Sequence, residues 1–230
     1  MALERVAVSR DIHQLRPDFA VLALAVSGLV NGPGDAQSDH WLREAEDHAR
    51  GATGAGPAHI ASWQDAYRGF GAKPQRTASS IEALWKRAAG PGLPRVNWLV
   101  DIYNAASVKH GLPIGGEDLD QFSGSIRLVR ATGAEPFETT RDSQPFNDPP
   151  APGEVVWADD LGVTCRRWNW RQGTRTRLTD TSVSALFLLE RLAPLSLDAL
   201  DTAGDALLAR IRRRVPDVHV ERARFGPEAP

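Results

Sequence analysis

The segment Phe19–Val30 (FAVLALAVSGLV) restricts the fold more than any other: a long apolar run with no charged residue in it. As a helix it is too short to cross a hydrocarbon layer of ~30 Å. Glu4, Asp11 and Asp18 precede it, where a secretory signal would carry basic residues. Asn31-Gly32-Pro33-Gly34 follows it, a turn signal. A bounded apolar run of this kind predicts a buried strand, so the chain must build a sheet around it. A cytoplasmic location is the corresponding expectation.

Composition narrows the classes further. The chain has 230 residues, 42% hydrophobic and 24% charged, which excludes disorder, coiled coil and a membrane bundle as whole-chain readings. A single cysteine, Cys165, excludes a disulfide framework and any multi-cysteine metal site, and in an alternating segment it reads as a small buried hydrophobe. The six histidines form no His-Glu-x-x-His pattern, and no Walker or dinucleotide glycine motif occurs. No metal and no cofactor are expected. The net charge of −2 argues against attachment to nucleic acid by bulk charge but leaves room for a local basic face.

Along the chain, residues 1–36 read as strand, turn, strand and a Gly/Pro loop. Gln37–Arg50 reads as a helix capped by Ser38 or Asp39, and Gly51–Pro57 as a connector. Ala58–Phe70 carries Ile60, Trp63 and Tyr67 at helical spacing. Ser79–Ala88 opens on a capping box from Ser79 to Glu82, and Asn97–His110 is a further helix stopped by Gly111. Ser125–Ala131 alternates as a strand, Thr139–Pro152 is a proline-rich exposed loop, and Glu154–Ala158 with Gly162–Trp168 forms a hairpin. Thr179–Leu192 fits strand or helix and leans to a helix capped by Thr181. Asp198–Val215 is a helix with a basic end from Arg210 to Arg214. Helices dominate early and strands late, which predicts α+β.

Two segments have the composition of a binding surface. Arg166–Arg177 (RRWNWRQGTRTR) holds five arginines interleaved with Trp168 and Trp170. Guanidinium forks suit phosphates and indoles suit bases. On a strand, Trp168 and Trp170 would share one face and Arg167, Asn169 and Arg171 the other. The alternative is two core tryptophans under a solvated arginine row. Gly111–Asp120 (GLPIGGEDLD) pairs glycines that admit close backbone approach with Glu117, Asp118 and Asp120; as a metal site it reads instead as a turn with solvated acids.

From these residues a family emerges. Pro94–Phe122 (PRVNWLVDIYNAASVKHGLPIGGEDLDQF) resembles the B3/B4 module of the phenylalanyl-tRNA synthetase beta subunit, through Arg95, Asn97, Val100, Asp101, Asn104, Gly111, Pro113, Asp118 and Asp120. The likeness continues through Gly124–Ala131, Glu135, Ala158–Gly162 and Leu178–Glu190, covering about residues 60–195. Trp63–Pro74 and Arg166–Gln172 resemble stretches of free-standing B3/4 proteins. The resemblance implies a single α+β domain over 1–230 with a mixed or antiparallel sheet flanked by helices. Residues 1–60 would complete the fold, 61–195 form the B3/4 core and 196–230 supply a C-terminal helix and tail. In the synthetase the module hydrolyses tyrosine misattached to the phenylalanine tRNA. The implied activity here is therefore trans-editing: hydrolysis of the ester of a mischarged tRNA by a positioned water. The chain departs from the family where the synthetase histidine falls at Gly115, and where a Gly-Gly-Glu stretch falls near Trp170-Arg171-Gln172.

On that resemblance, backbone N–H groups of Gly115 and Gly116 would serve the oxyanion. Asn104, Ser107, Asn169 and Gln172 would orient water or bind the substrate amine, and Asp118 or Glu117 would pair with the ammonium. Lys73, Arg76, Arg166, Arg167 and Arg171, with Trp168 and Trp170, would hold the tRNA acceptor end. tRNA is the implied partner, with neither membrane nor DNA expected. The other readings are a non-catalytic RNA-binding module and a small-molecule hydrolase or binder in the same cleft.

Overall fold

A computed structural model of the chain describes residues 2–52 and 58–226. In chain order its elements are β1 (Val6–Val8), α1 (Arg10–Leu15), β2 (Ala20–Ser27), α2 (Ala36–Gly51), α3 (Ile60–Gly69), α4 (Ser80–Ala89), α5 (Trp98–His110), β3 (Ile114–Asp118), β4 (Ile126–Arg130), β5 (Glu138–Arg141), β6 (Gln144–Asn147), β7 (Val155–Ala158), β8 (Val163–Arg166), β9 (Arg171–Gln172), β10 (Ser184–Arg191), α6 (Leu197–Arg214) and β11 (His219–Phe225). The fold is α+β. Most of the connector expected at Gly51–Pro57 lies outside the described residues.

The apolar run becomes β2, inside a four-stranded antiparallel sheet of order β11-β2-β10-β3. It is buried on both faces because each face meets its own core. Leu22, Leu24 and Val26 pack with Leu42 of α2, Ile102 of α5 and Leu207 of α6. Val21, Ala23 and Ala25 pack with Trp63 and Tyr67 of α3, Trp157 of β7 and Trp168. A five-stranded sheet, β1-β4-β7-β8-β9, closes the second core; β1 and β4 run parallel and the other pairs antiparallel.

Three sequence expectations need correction. Thr179–Leu192 gives the strand β10, not a helix: Ser184–Arg191 pairs along its whole length with β2 and on its other edge with β3. A run apolar on both faces carries no period by which strand and helix differ. The proline-rich segment Thr139–Pro152 is not all loop. It holds the β5–β6 hairpin, turned at Asp142 and Ser143 with φ of 50° and 63°. The stretch after α6 contributes β11, an edge strand on β2. In addition, α1 interrupts the expected strand–turn–strand of residues 1–36.

Helix ends follow local chemistry. Asp35 caps α2, accepting from Ser38 N at 2.8 Å, so the cap falls ahead of the expected Ser38 or Asp39. Asn97 caps α5 by accepting from Val100 N at 3.0 Å. Gly111, at φ 68°, stops that helix and turns the chain into β3.

The two glycines of β3 differ in role. A Cβ on Gly116 would stand 2.7 Å from Tyr103 Cε1 and 3.0 Å from Leu178 Cδ1, whereas one on Gly115 would meet nothing within 4 Å. Gly116→Ala is expected to cost about 1–3 kcal/mol by overpacking. Gly115→Ala is expected to stay within about 0.5 kcal/mol of the parent. Urea midpoints of the two variants check this, and equal midpoints would contradict it.

Candidate functional site

The β8–β9 connection determines the local geometry. Arg167 and Trp168 both lie at positive φ, 46° and 68°, so the chain reverses at once instead of continuing as a strand. Non-glycine residues held there cost of order 1–3 kcal/mol each and persist only where surrounding packing fixes them. Here the packing is aromatic. Trp168 is fully buried, with its ring centroid 5.0 Å from Phe19 and 5.4 Å from Trp63, both edge-on. The expected alternation of Trp168/Trp170 against Arg167/Asn169/Arg171 is thereby corrected: Trp168 is a core anchor with no face free for a base.

The reversal brings Asn169 and Trp170 onto a cavity of about 260 Å³. Its walls are Ser80, Ala83 and Leu84 of α4, Tyr103 and Asn104 of α5, Ile114 and Gly115 of β3, Trp157, Cys165, Trp168, Gln172 and Leu188. Glu117 of β3 and Glu190 of β10 complete it, at 3% and 2% exposure. The Glu117 carboxylate accepts from the Thr176 hydroxyl and, at 3.3 Å, from Thr164 Oγ1. Glu190 accepts from Trp157 Nε1 at 2.8 Å and from Asn169 Nδ2 at 2.7 Å. Asn169 is oriented in turn by the Tyr67 hydroxyl, which donates to its Oδ1 at 2.9 Å. Gln172 Nε2 donates to Gly116 O at 2.8 Å.

A second concavity, of about 230 Å³, is lined by Lys73, Arg76 and Arg167 together with Phe70, Thr77 and Glu154. Arg167 joins the two, because its guanidinium carbon lies 4.4 Å from the ring centroid of Trp170, a wall of the first cavity.

The family model of the B3/4 domain matches residues 62–223. The chain belongs to the B3/4 domain family. The match takes in β3 to β10, α6 and most of β11, and leaves β1, β2, α1 and α2 before it. Among solved structures, the chain is similar to an N-terminal fragment of the phenylalanyl-tRNA synthetase beta-subunit from Pyrococcus horikoshii, with TM-score 0.47 and 12% identity. The alignment covers 96% of this chain and 54% of that one, so the chain spans about half the length of that fragment. No curated protein sequence matches it.

Of the residues singled out in sequence, this B3/4 domain brings Asn104, Gly115, Asn169, Gln172, Trp168 and Trp170 to one cavity, and Lys73, Arg76 and Arg167 to the cleft beside it. Gly116 touches the cavity through its carbonyl partner Gln172. Others go elsewhere. Ser107 is fully buried and donates to Leu112 O at 2.6 Å, closing the end of α5. Asp118 caps the short turn after β3, accepting from Asp120 N at 3.1 Å and Ser182 Oγ at 2.5 Å. Arg171 reaches Thr140 O at 3.4 Å, outside both concavities. Arg166 is 5% exposed and forks onto Glu154 at 2.8 Å through Nε and Nη2, with Nη1 2.7 Å from Asp148. A guanidinium buried this way needs its carboxylates and is not available to a phosphate.

Sequence reasoning passed over Glu190, Tyr103 and Trp157; of its two candidates for the substrate ammonium, Glu117 lies on the cavity and Asp118 does not. The signal available was a lone acid closing an otherwise apolar strand (ALFLLE). Burial raises both cavity glutamates to about 7, against the hydrogen bonds that favour their charged forms. Burial also pushes the Cys165 thiol well up, so it is no thiolate nucleophile at neutral pH. Among the described residues no group of three or more His, Cys, Asp or Glu could hold a metal ion, and no helix is long and apolar enough to cross a membrane.

Two stability measurements follow. Arg166→Ala leaves Glu154 buried without its fork and is expected to cost about 3–5 kcal/mol in chemical denaturation. Glu117 gives a pH signature. Between its ordinary value of 4.5 and about 7 the folded protein keeps a proton that the unfolded chain has lost, so stability falls as pH rises through that window and is flat above it. Buried His59, lowered to about 4, acts in the opposite sense. The difference between parent and Glu117→Gln therefore isolates the carboxyl. The variant is expected to gain on the order of 3 kcal/mol relative to the parent between pH 5 and pH 8, and a pH-independent difference would contradict the assignment.

Proposed function

We propose that this B3/4 domain hydrolyses the ester joining an amino acid to the 3′ end of a mischarged tRNA. The observation that carries the reading is the adjacency of two unlike concavities across the Arg167–Trp170 stack. One is apolar-walled with carboxylates inside it; the other is cationic. An aminoacyl-tRNA end has the matching polarity: an ammonium and side chain at one end, phosphates at the other.

In this reading the aminoacyl group enters the cavity and its α-ammonium meets Glu190, held in place by Asn169 and Trp157. Lys73, Arg76 and Arg167 take the terminal phosphates, which position the chain without reading its sequence. Asn104 holds the attacking water. The water oxygen adds to the ester carbonyl carbon, the carbon–oxygen bond to the ribose breaks, and the ribose oxygen leaves with a proton from the water. The ester is activated by its own ammonium, so positioning supplies most of what the site must contribute.

Deacylation of a panel of tRNAs, each charged with its correct and near-miss amino acids, tests the proposal. Selective acceleration of one mischarged class over the spontaneous rate is expected. Arg167→Ala is expected to raise KM for that tRNA about tenfold with kcat within about twofold, and to lower the salt dependence of binding by about one counterion. Gly115→Trp is expected to block the cavity and abolish turnover in a folded protein. No acceleration across the panel, with salt-sensitive tRNA binding retained, would replace this reading with a non-catalytic RNA-binding module.

A further inference from the structure

Three buried carboxylates are paired with arginine, whereas Asp101 and Asp118, also buried, are each held by backbone N–H or hydroxyl donors outside the cavity. Glu46 meets Arg95 at 2.6 Å, Glu154 meets Arg166 at 2.8 Å and Asp159 meets Arg175 at 2.7 Å. Glu117 and Glu190 are as deeply buried, yet their hydrogen-bond partners are neutral: two threonine hydroxyls for one, an indole and an amide for the other. Among the described residues no lysine, arginine or histidine lies within ion-pair distance of either. Both face one cavity, where a ligand can supply what the protein does not. Two further groups on that cavity, the Ser80 hydroxyl and the Trp168 indole N–H, are buried without a hydrogen-bond partner.

The two carboxylates stand at different ends. Glu117 pairs across the ladder with Leu186, and Glu190 lies four positions further along β10 on the same face. That is about 13 Å of strand, with Leu188 and Gly115 opposite each other between them. Glu190 is the end nearer the cationic cleft, because Asn169, its partner, and Trp170, which stacks with Arg167, follow Arg167 directly in the chain. A ligand anchored in the cleft therefore presents its first amine to Glu190 and the tip of its side chain toward Glu117.

We infer that the cavity is selective for a basic aminoacyl group, one whose side chain ends in a second cation of lysine, ornithine or arginine type. The identification of the ligand as aminoacyl rests on the function proposed above, but the selectivity for two separated cations rests on the cavity itself. A second ammonium at Glu117 completes the neutral-only shell of Thr164 and Thr176 with the kind of cationic partner that Glu46, Glu154 and Asp159 have. Burial of an ammonium without such a counter-charge is unfavourable, so the same carboxylate that accepts a basic side chain leaves an aliphatic one with an unmatched polar end.

The test measures binding by the full chain, without tRNA, of L-lysinamide against L-norleucinamide, the same backbone without the terminal amine, by calorimetry at pH 7.5 and low salt. Lysinamide is expected to bind at least about tenfold more tightly, a difference of about 1.4 kcal/mol. Glu117→Gln, a close isostere expected to fold at least as well, is expected to erase that preference while leaving norleucinamide affinity within about twofold. Glu190→Gln is expected to weaken both ligands together. Equal binding of the two amides by the parent, or a preference that survives Glu117→Gln, would overturn the inference. The charged-tRNA panel separates the two ideas: deacylation without preference for basic aminoacyl groups overturns this inference and keeps the function, whereas lysinamide selectivity with no deacylation keeps the cavity assignment and overturns the function.

Discussion

The structure depends on a pair of strands with no solvent face. β2 and β10 lie side by side in the middle of their sheet, and their alternate side chains go into two separate cores. Such a pair is stable only if both faces are covered, which dictates much of the rest of the molecule. α2, α5 and α6 supply one cover; α3, with a second sheet, supplies the other. The cavity forms where the second cover runs out, between the N-terminus of α4 and the far ends of β3 and β10.

Charge follows the same economy. Three buried acids of this chain, Glu46, Glu154 and Asp159, are each met by an arginine, and the Arg166–Glu154–Asp148 group ties the β8 end to the loop after β6 in this way. Part of the arginine content, high in the sequence, thus neutralises buried acids. Arg175 and Arg95 are further cases. Residues that read as a basic binding face are thus divided. Arg167, with Lys73 and Arg76, lines the cleft, and Arg166, next in sequence, belongs to the core.

How much the sequence revealed depended on whether a residue's role was local. Gly111 as a stop, Ser79 as a cap, the Phe19–Val30 strand and the hairpin around Asp159–Gly162 all follow from chemistry within a few residues, and all appear in the fold. The B3/4 character was legible in ordered spacing over a long stretch, and the family match bears it out. What was not legible needed a third dimension. β10 was ambiguous because a strand buried on both faces has no period. Trp168 and Trp170 sit two residues apart, yet the strand parity that joins them fails at a left-handed turn set by Phe19 and Trp63. Glu117 read as one acid among several in a glycine turn; only its position opposite Leu186 shows that it points inward. Asp118, its neighbour, points the other way and serves as a cap.

The left-handed turn at Arg167–Trp168 has one more effect. Four consecutive residues do four different things: Arg167 lines the cationic cleft, Trp168 is bolted into the aromatic core, Asn169 steers Glu190, and Trp170 walls the cavity. The span between the two concavities is thus a fixed gauge, set by covalent backbone and not by flexible side chains. A lineage that varied Phe19 or Trp63, far from any ligand, would move both jaws of that gauge together. Diversification of what the cavity accepts would then be expected to run through β3 and α4, the walls that the gauge does not hold.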